Sequence, residues 1–178
     1  MARFSLHAVG KDRPGIIAGV ASALAEMGAN LEDSRMTILR GQFAVMLVLD
    51  APGISDGGLV EQALEDVAEE LNLFVAVRPL PDDVVGREGG ERYSILVDGA
   101  DRPGIVAGVA QSILTLGGNV VDLSSRLLEH EGQSGYVLRL SITLPTGVSG
   151  ADLESAVTRV SSDLGVNSSV ALGSGDIS

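Results

Sequence analysis

The sequence predicts an α+β protein made of two copies of one small domain, each with an antiparallel sheet and two helices. A segment of the first half recurs in the second half, so that 12 of the 22 positions from Asp12 to Asp33 are identical at an offset of 89 residues. Short segments of alternating hydrophobicity, typical of strands, stand between segments of helical periodicity. The helical segments are apolar on one face only, which indicates helices packed on one side of a sheet.

The recurring segment predicts a strand, a turn and a helix. Phe4, Leu6 and Ala8 alternate with polar residues and predict the strand, and the sequence Asp-Arg-Pro-Gly at 12–15 and again at 101–104 predicts the turn. Asp before a helix and Pro near its first position are start signals, so the helix is expected to follow this turn directly. Gly28 and Gly117 predict the ends of the two helices.

Each half continues with two strands, a second helix and a closing strand. In the first half we predict strands from Asn30 to Leu39 and from Gln42 to Asp50, a helix that opens at Ser55, and a strand from Leu73 to Pro79. The corresponding elements of the second half are strands at 119–129 and 135–144, a helix from Ser149 and a strand at 166–172. This order predicts the ferredoxin-like βαββαβ arrangement in each half, with both helices on one face.

The domain boundaries follow from composition and from the repeat. We predict a first domain at 1–80, a linker at 81–90, a second domain at 91–173 and a flexible tail at 174–178. The linker segment contains adjacent aspartates and several glycines and has little apolar content. A repeat this long that occurs only twice indicates two domains rather than a solenoid.

The composition excludes several classes of function. The net charge is −12 and no cluster of Lys and Arg exists, so we expect neither direct nucleic-acid binding nor binding to a membrane. The chain has no cysteine, which excludes disulfides, thiolate catalysis and Cys-based zinc sites. It shows no secretory signal and no run of about 18 apolar residues, which predicts a cytoplasmic protein. We also expect no metal site, no cofactor and no catalytic site, because no nucleophile and base converge in the sequence.

The DRPG turn between a strand and a helix, followed by Gly-Ala-Asn at 28–30, resembles the ACT domain, the amino-acid-sensing module attached to many metabolic enzymes. The stretch from Asn30 to Arg35 is similar to the glycine cleavage system transcriptional repressor (antiactivator) family, whose members consist of two such domains. The resemblance implies a regulatory protein that senses an amino acid, with glycine as the candidate, and binds a transcriptional activator. The second half keeps Asn119 and Asp122 but differs around them, so equal function of the two halves is left open.

The turn between the first strand and the first helix is the predicted ligand site of each half. Glycine lets the backbone approach a ligand closely, and the first amides of a helix bind a carboxylate. The turn Asp either caps the helix or takes the ligand's ammonium group, and the Asn after the helix either shapes a turn or offers the ligand a donor and an acceptor. The predicted ligand-binding residues are Gly10, Lys11, Asp12, Arg13, Gly15, Ile16, Asn30, Leu31, Gly99, Asp101, Arg102, Gly104, Ile105, Asn119 and Val120.

Two functions from different classes fit these observations. The first is a non-enzymatic regulator that binds a small amino acid and modulates a protein partner, either a transcriptional regulator or a metabolic enzyme. The second is a ligand-free ACT adaptor that controls an amino-acid metabolic enzyme by protein–protein contact. Because the edge strands of each sheet must be paired or blunted, a homodimer is one expected assembly, with ligand sites at contacts between domains.

Overall fold

The computed structural model describes residues 2–81, 90–130 and 133–173, with the backbone alone at 129, 130, 133 and 134. Most of the predicted linker, 82–89, and the predicted tail lie outside the described residues. The chain divides into two compact units, residues 1–86 and residues 87–178. Each unit is described by itself below.

The first unit is a four-stranded sheet with three helical segments. In chain order its elements are β1 (Arg3–Lys11), α1 (Ile16–Glu26), β2 (Asn30–Leu39), β3 (Gln42–Asp50), α2 (Gly57–Ala63), α3 (Glu65–Leu71) and β4 (Leu73–Leu80). The strands pair in the order β2-β3-β1-β4, and every pairing is antiparallel. Strands β2 and β4 are therefore the two edges of this sheet.

The second unit repeats the arrangement. Its elements are β5 (Glu91–Ala100), α4 (Ile105–Thr115), β6 (Asn119–His130), β7 (Gln133–Leu144), α5 (Gly150–Leu164) and β8 (Val166–Leu172). The strands pair antiparallel in the order β6-β7-β5-β8, which makes β6 and β8 the edges. The predicted fold class, two ferredoxin-like βαββαβ domains, is confirmed.

The buried apolar residues of the strands face the helices and form one core in each unit. Phe4, Leu6 and Ala8 of β1 are buried, and the polar residues between them lie on the opposite, open face of the sheet. Helix α1 buries Val20 and Leu24, one helical turn apart, against these strand residues. The alternation along the strands and the 3.6-residue period of the helices thus produce the two layers.

Two helix starts differ from the sequence-based expectation. Helix α1 begins at Ile16, and its cap residue is Gly15 in the left-handed region at φ 96°, not Asp12. The second helix of the first unit begins after Asp56, whose carboxylate accepts a hydrogen bond from Gly58 N–H at 3.0 Å, rather than at Ser55. In the second unit Ser149 caps α5, as its sequence predicts.

The second helix of the first unit is also divided at Leu64, where one continuous helix was expected. The N–H of Leu64 bonds to the carbonyl of Glu61, three residues back rather than four, at 3.0 Å. Such a bond is that of the tighter 3₁₀ turn, and it interrupts the regular α-helical hydrogen bonding between the two segments. Helix α3 then starts anew, with Ala68 N–H bonding to Leu64 O at 2.8 Å. The side chain of Leu64 itself is fully buried in the core.

Candidate functional site

The turn before the first helix has nearly the same geometry in both units. Gly15 and Gly104 adopt φ 96° and φ 97°, a left-handed conformation that side-chain-bearing residues rarely take. A Cβ atom at either glycine would meet nothing within 4 Å, so the space above each turn is open. The two glycines therefore set the path of the chain and leave a free surface at the start of the helix.

No side chain of the described part of the chain caps α1 or α4. The first hydrogen bond beyond each turn runs from Gly19 N–H to Gly15 O, and in the second unit from Gly108 N–H to Gly104 O, both at 2.8 Å. The amides of the first three residues of each helix, 16–18 and 105–107, thus lie outside the helix's own hydrogen-bonding pattern. Together with the helix dipole, they form a place where a carboxylate can be bound.

Four of the predicted ligand residues have a clear role in the fold. Ile16 and Ile105 are each only 2 % exposed and belong to the cores of their units. A Cβ atom at Gly10 would lie 2.7 Å from Leu73 Cδ2 and 2.9 Å from the carbonyl oxygen of Asn72. A Cβ atom at Gly99 would similarly lie 2.9 Å from Val166 Cγ1. These two glycines let the first strand approach the last strand of each sheet.

The two turns differ in their free positive charge. Arg102 Nη1 donates to the carbonyl oxygen of Leu164, the last residue of α5, at 3.1 Å, so this guanidinium is held at the C-terminal end of a helix. Its counterpart Arg13 is exposed, and so is Lys11 at the end of β1. Neither has a hydrogen-bond or ion-pair partner for its side chain among the described residues. Residue 100 in the second unit, which corresponds to Lys11, is an alanine.

The structure does not bring Asn30 to the turn of its own unit. Asn30 pairs with Asp50, and so does Arg3 at the start of β1. The turn follows the other end of β1, where the N–H of Asp12 donates to Gly41 O, in the β2–β3 connection, at 2.9 Å. The two predicted parts of the site are therefore separated by the length of β2, roughly 30 Å for ten residues.

The second unit shows the same separation. Asn119 and Val120 begin β6 and pair with Thr143 and Ile142, near the end of β7. The turn at 101–104 follows Ala100, which pairs with Gly135 near the beginning of β7. Neither unit alone assembles the set of residues that the sequence predicted. In each unit the turn lies at one end of the sheet, and the Asn residue lies at the other end.

Asn30 lies among charged groups that sequence reasoning missed. Arg3 forms an ion pair with Glu32, with 3.0 Å between Nε and Oε2. Asp50, opposite Asn30, has one buried carboxylate oxygen without a hydrogen-bond partner in the described residues. Only the strand register brings these groups together, and a local pattern in the sequence carries no signal of it. Leu31, the next residue of β2, is 40 % exposed.

The helix-facing side of β2 is incompletely covered. Leu31, Met36 and Ile38 pair with the core residues Leu49, Val45 and Phe43 and therefore share their face, yet they are 40–47 % exposed. All ten residues of this edge strand are exposed. The corresponding edge β6 likewise exposes apolar side chains, among them Val121, Leu123, Leu127 and Leu128. An exposed apolar edge strand is a surface on which another polypeptide can pair.

Other kinds of site find no support in the described part of the chain. No three His, Asp or Glu side chains come together there as a metal site would require. No described helix combines the length and the apolar character needed to cross a membrane. His7 lies half-buried on the open face of the sheet, with 3.1 Å between its Nε2 and Ser5 Oγ.

Comparison with known proteins identifies relatives of one unit and of the whole chain. The family model of the ACT domain matches residues 3–78. A UPF0237 protein of Methanopyrus kandleri is 42 % identical over 80 residues, which cover 44 % of this chain and 88 % of that protein. The glycine cleavage system transcriptional repressor of Escherichia coli strain K12 is 25 % identical over 175 residues, which cover 93 % of this chain and 87 % of that protein.

Solved structures extend the similarity to both units. An unknown protein from Galdieria sulphuraria has a TM-score of 0.83 and 26 % identity, covering 97 % of this chain and 99 % of that one. A candidate glycine cleavage system transcriptional repressor has a TM-score of 0.72 with 19 % identity and covers 98 % of both chains. The second likeness concerns the fold alone. Over 93 % of its length, the chain is thus similar to a repressor of transcription.

Proposed function

Because the chain belongs to the UPF0237 family and its residues 3–78 match the ACT domain, we propose that it is a non-enzymatic regulatory protein that binds a small amino acid and modulates a partner protein. The observation that carries the proposal is the turn at 12–15, where a left-handed glycine with open space above it precedes a helix that no side chain caps. The partner is a transcriptional regulator, by analogy with the Escherichia coli repressor.

The effector's carboxylate binds at this turn. The three free amides at the start of α1 point their N–H groups to the same side, and a carboxylate offers enough lone pairs to accept from several of them. Lys11 and Arg13 add two positive charges without partners among the described residues. In a chain of net charge −12, the free cation Arg13 in the turn before an uncapped helix, with Lys11 at the end of the preceding strand, favours an anionic group at this place.

The effector's ammonium group is bound by Asn30 of a second copy. If the β2 strands of two copies pair antiparallel, the beginning of one strand lies beside the end of the other. Asn30 and Asp50 of one copy then lie beside the β2–β3 connection of the other, to which Asp12 N–H is bonded. The same pairing covers the exposed apolar residues on the helix side of β2, and burial of apolar surface stabilises such a contact.

Calorimetric titration with glycine, alanine, serine and valine tests the proposal. We expect one of the smaller amino acids to bind, and Arg13→Ala and Asn30→Ala each to weaken that binding by about tenfold, the loss expected for one charge-assisted hydrogen bond. Arg159→Ala, on a helix of the second unit, is the matched control and keeps wild-type affinity. Absence of heat for all four amino acids at millimolar concentration contradicts the proposed sensing.

A capture experiment tests the regulatory part of the proposal. The tagged chain is incubated with extract of its own source cells, with and without the bound amino acid, and captured proteins are identified. A transcriptional regulator whose recovery changes with the amino acid supports the proposal. A metabolic enzyme recovered equally in both conditions, and equally by Asn30→Ala, supports the ligand-free adaptor instead.

A further inference from the structure

A small cavity lies on the open face of the sheet of the second unit. It has a volume of about 180 Å³ and is bounded by Ser94, Leu96, Arg139, Ser169 and Ala171, together with the backbone of β5 and β7. Leu96 pairs with Arg139 on one side and with Ser169 on the other, so these three residues form one row across the sheet. This row faces away from α4 and α5, because the core residues of β5 alternate with it.

The cavity has one cation and several hydroxyl groups. Arg139 is exposed, and within the described ranges its guanidinium has no hydrogen-bond or ion-pair partner. Ser94 and Ser169 line the cavity and offer hydroxyl groups. Ser141, opposite Ser94 on the same face, is only 1 % exposed, and its Oγ also lacks a partner there. Such buried hydroxyls are normally hydrogen-bonded, and this one belongs to a residue two positions along β7 from Arg139, on the same face of the sheet. The cavity itself offers the Arg139 guanidinium and the hydroxyls of Ser94 and Ser169 to a polar ligand.

The charge of Arg139, like those of Lys11 and Arg13, has no partner among the described residues, although the chain has 24 acidic and only 12 basic residues. The carboxylate one row along β5, Asp98, accepts a hydrogen bond from Asn167 Nδ2 at 3.1 Å. The floor of the cavity is apolar, since it consists of Leu96 and Ala171. A fully hydrated inorganic anion gains little from such a floor, whereas a short hydrocarbon chain does.

We infer that this cavity binds a small free carboxylate with a short apolar tail, with its carboxylate on the Arg139 guanidinium and its tail over Leu96. The planar guanidinium bonds a carboxylate through two parallel N–H groups, which fixes its orientation. The first unit cannot form this site. Its position equivalent to Arg139 is Met46, paired with His7, and Ala76 stands in place of Ser169. The site is therefore distinct from the turn sites and specific to the second unit.

Nuclear magnetic resonance of the full ¹⁵N-labelled chain tests this inference with butyrate as the probe. At constant ionic strength, butyrate should shift the amide signals of Ser94, Leu96 and Ser169. Neutral butyramide should bind with a dissociation constant higher by at least about tenfold. Arg139→Met should raise the dissociation constant by about tenfold or more and keep the fold, because the first unit already carries Met at this position.

Three outcomes would overturn the inference. If the amide signals shift at the turns rather than on the sheet, the carboxylate binds elsewhere. If inorganic phosphate binds as tightly as butyrate, the apolar floor does not contribute to binding. An unchanged affinity of Arg139→Met removes the role of the guanidinium. If that variant does not fold, Arg139→Lys keeps the charge without the planar fork, and it should bind butyrate more weakly than the wild-type chain.

Discussion

Replacement of Gly15 by alanine separates the stability of the DRPG turn from its capacity to bind a ligand. Alanine in the left-handed region costs about 1–2 kcal/mol, and the reduced freedom of the unfolded chain offsets about 0.4–1 kcal/mol of this. No steric cost is added, because a Cβ at Gly15 meets nothing within 4 Å. We therefore expect Gly15→Ala to lower the free energy of unfolding by about 1 kcal/mol, which is about 4–8 °C in Tm for a unit of this size.

The matched control is Gly53→Ala in the same unit. Gly53 has φ 81° and equally open surroundings, but it lies in the connection between β3 and α2. Thermal unfolding should show similar losses for both variants. Only Gly15→Ala should weaken amino-acid binding, by about tenfold or more, because its methyl group occupies the space above the turn. A loss of stability above about 3 kcal/mol would refute the open-space argument, since overpacking costs of that order need close neighbours. Equal loss of binding in both variants would refute the assignment of the site.

Two further predictions concern the second unit. Arg102→Ala removes the hydrogen bond to Leu164 O and should lower the free energy of unfolding by about 0.5–1 kcal/mol, a value reduced because the side chain is exposed to solvent. Urea titration measures this loss, and an unchanged unfolding midpoint would show that the contact contributes nothing to stability. The hydrogen bonds from the Ser149 hydroxyl and then its backbone N–H hold the pKa of Asp152 below its usual value. A lowered folded-state pKa stabilises the unit above the unfolded pKa, and this stabilisation is lost as the pH falls through the folded pKa. Ser149→Ala should cost about 1 kcal/mol at neutral pH and weaken the acid dependence of stability, whereas an unaltered dependence would contradict the role of this cap.

Most of the fold could be predicted from local patterns. The recurrence of the DRPG segment located both units, and the alternation of Phe4, Leu6 and Ala8 identified the face of β1 that is buried. Gly28 and Gly117 follow the last residues of their helices at φ 76° and φ 72°, as helix-ending glycines do. These features depend on residues close together in the chain, so a single sequence contains the information.

The details that were wrong depend on competition between neighbouring signals. Asp12 and Pro14 both favour a helix start, but the conformation of Gly15 places the first helical residue after all of them. The divided helix at Leu64 follows from the backbone bond to Glu61, which no apolar pattern reveals. The contact of Arg102 with the end of α5 joins residues 62 positions apart, and sequence identity with Arg13 concealed the difference between the two turns.

The separation of Asn30 from its own turn could have been deduced from the strand order, but not from spacing along the chain. Asn30 follows Asp12 by 18 positions in the sequence, and helix α1 between them carries the chain back along the sheet. The predicted site residues therefore group into two clusters per unit. Which clusters meet depends on assembly, and the sequence of one chain does not encode that in any local pattern.

If the proposed pocket is assembled from opposite ends of two molecules, effector affinity depends on protein concentration. Dilution would then separate the two molecules and release the effector, and the effector would in turn hold them together, because binding and association are linked by mass action. The response would then depend on the cellular concentration of the protein as well as on the concentration of the metabolite. A modest rise in expression would lower the metabolite level at which the response begins.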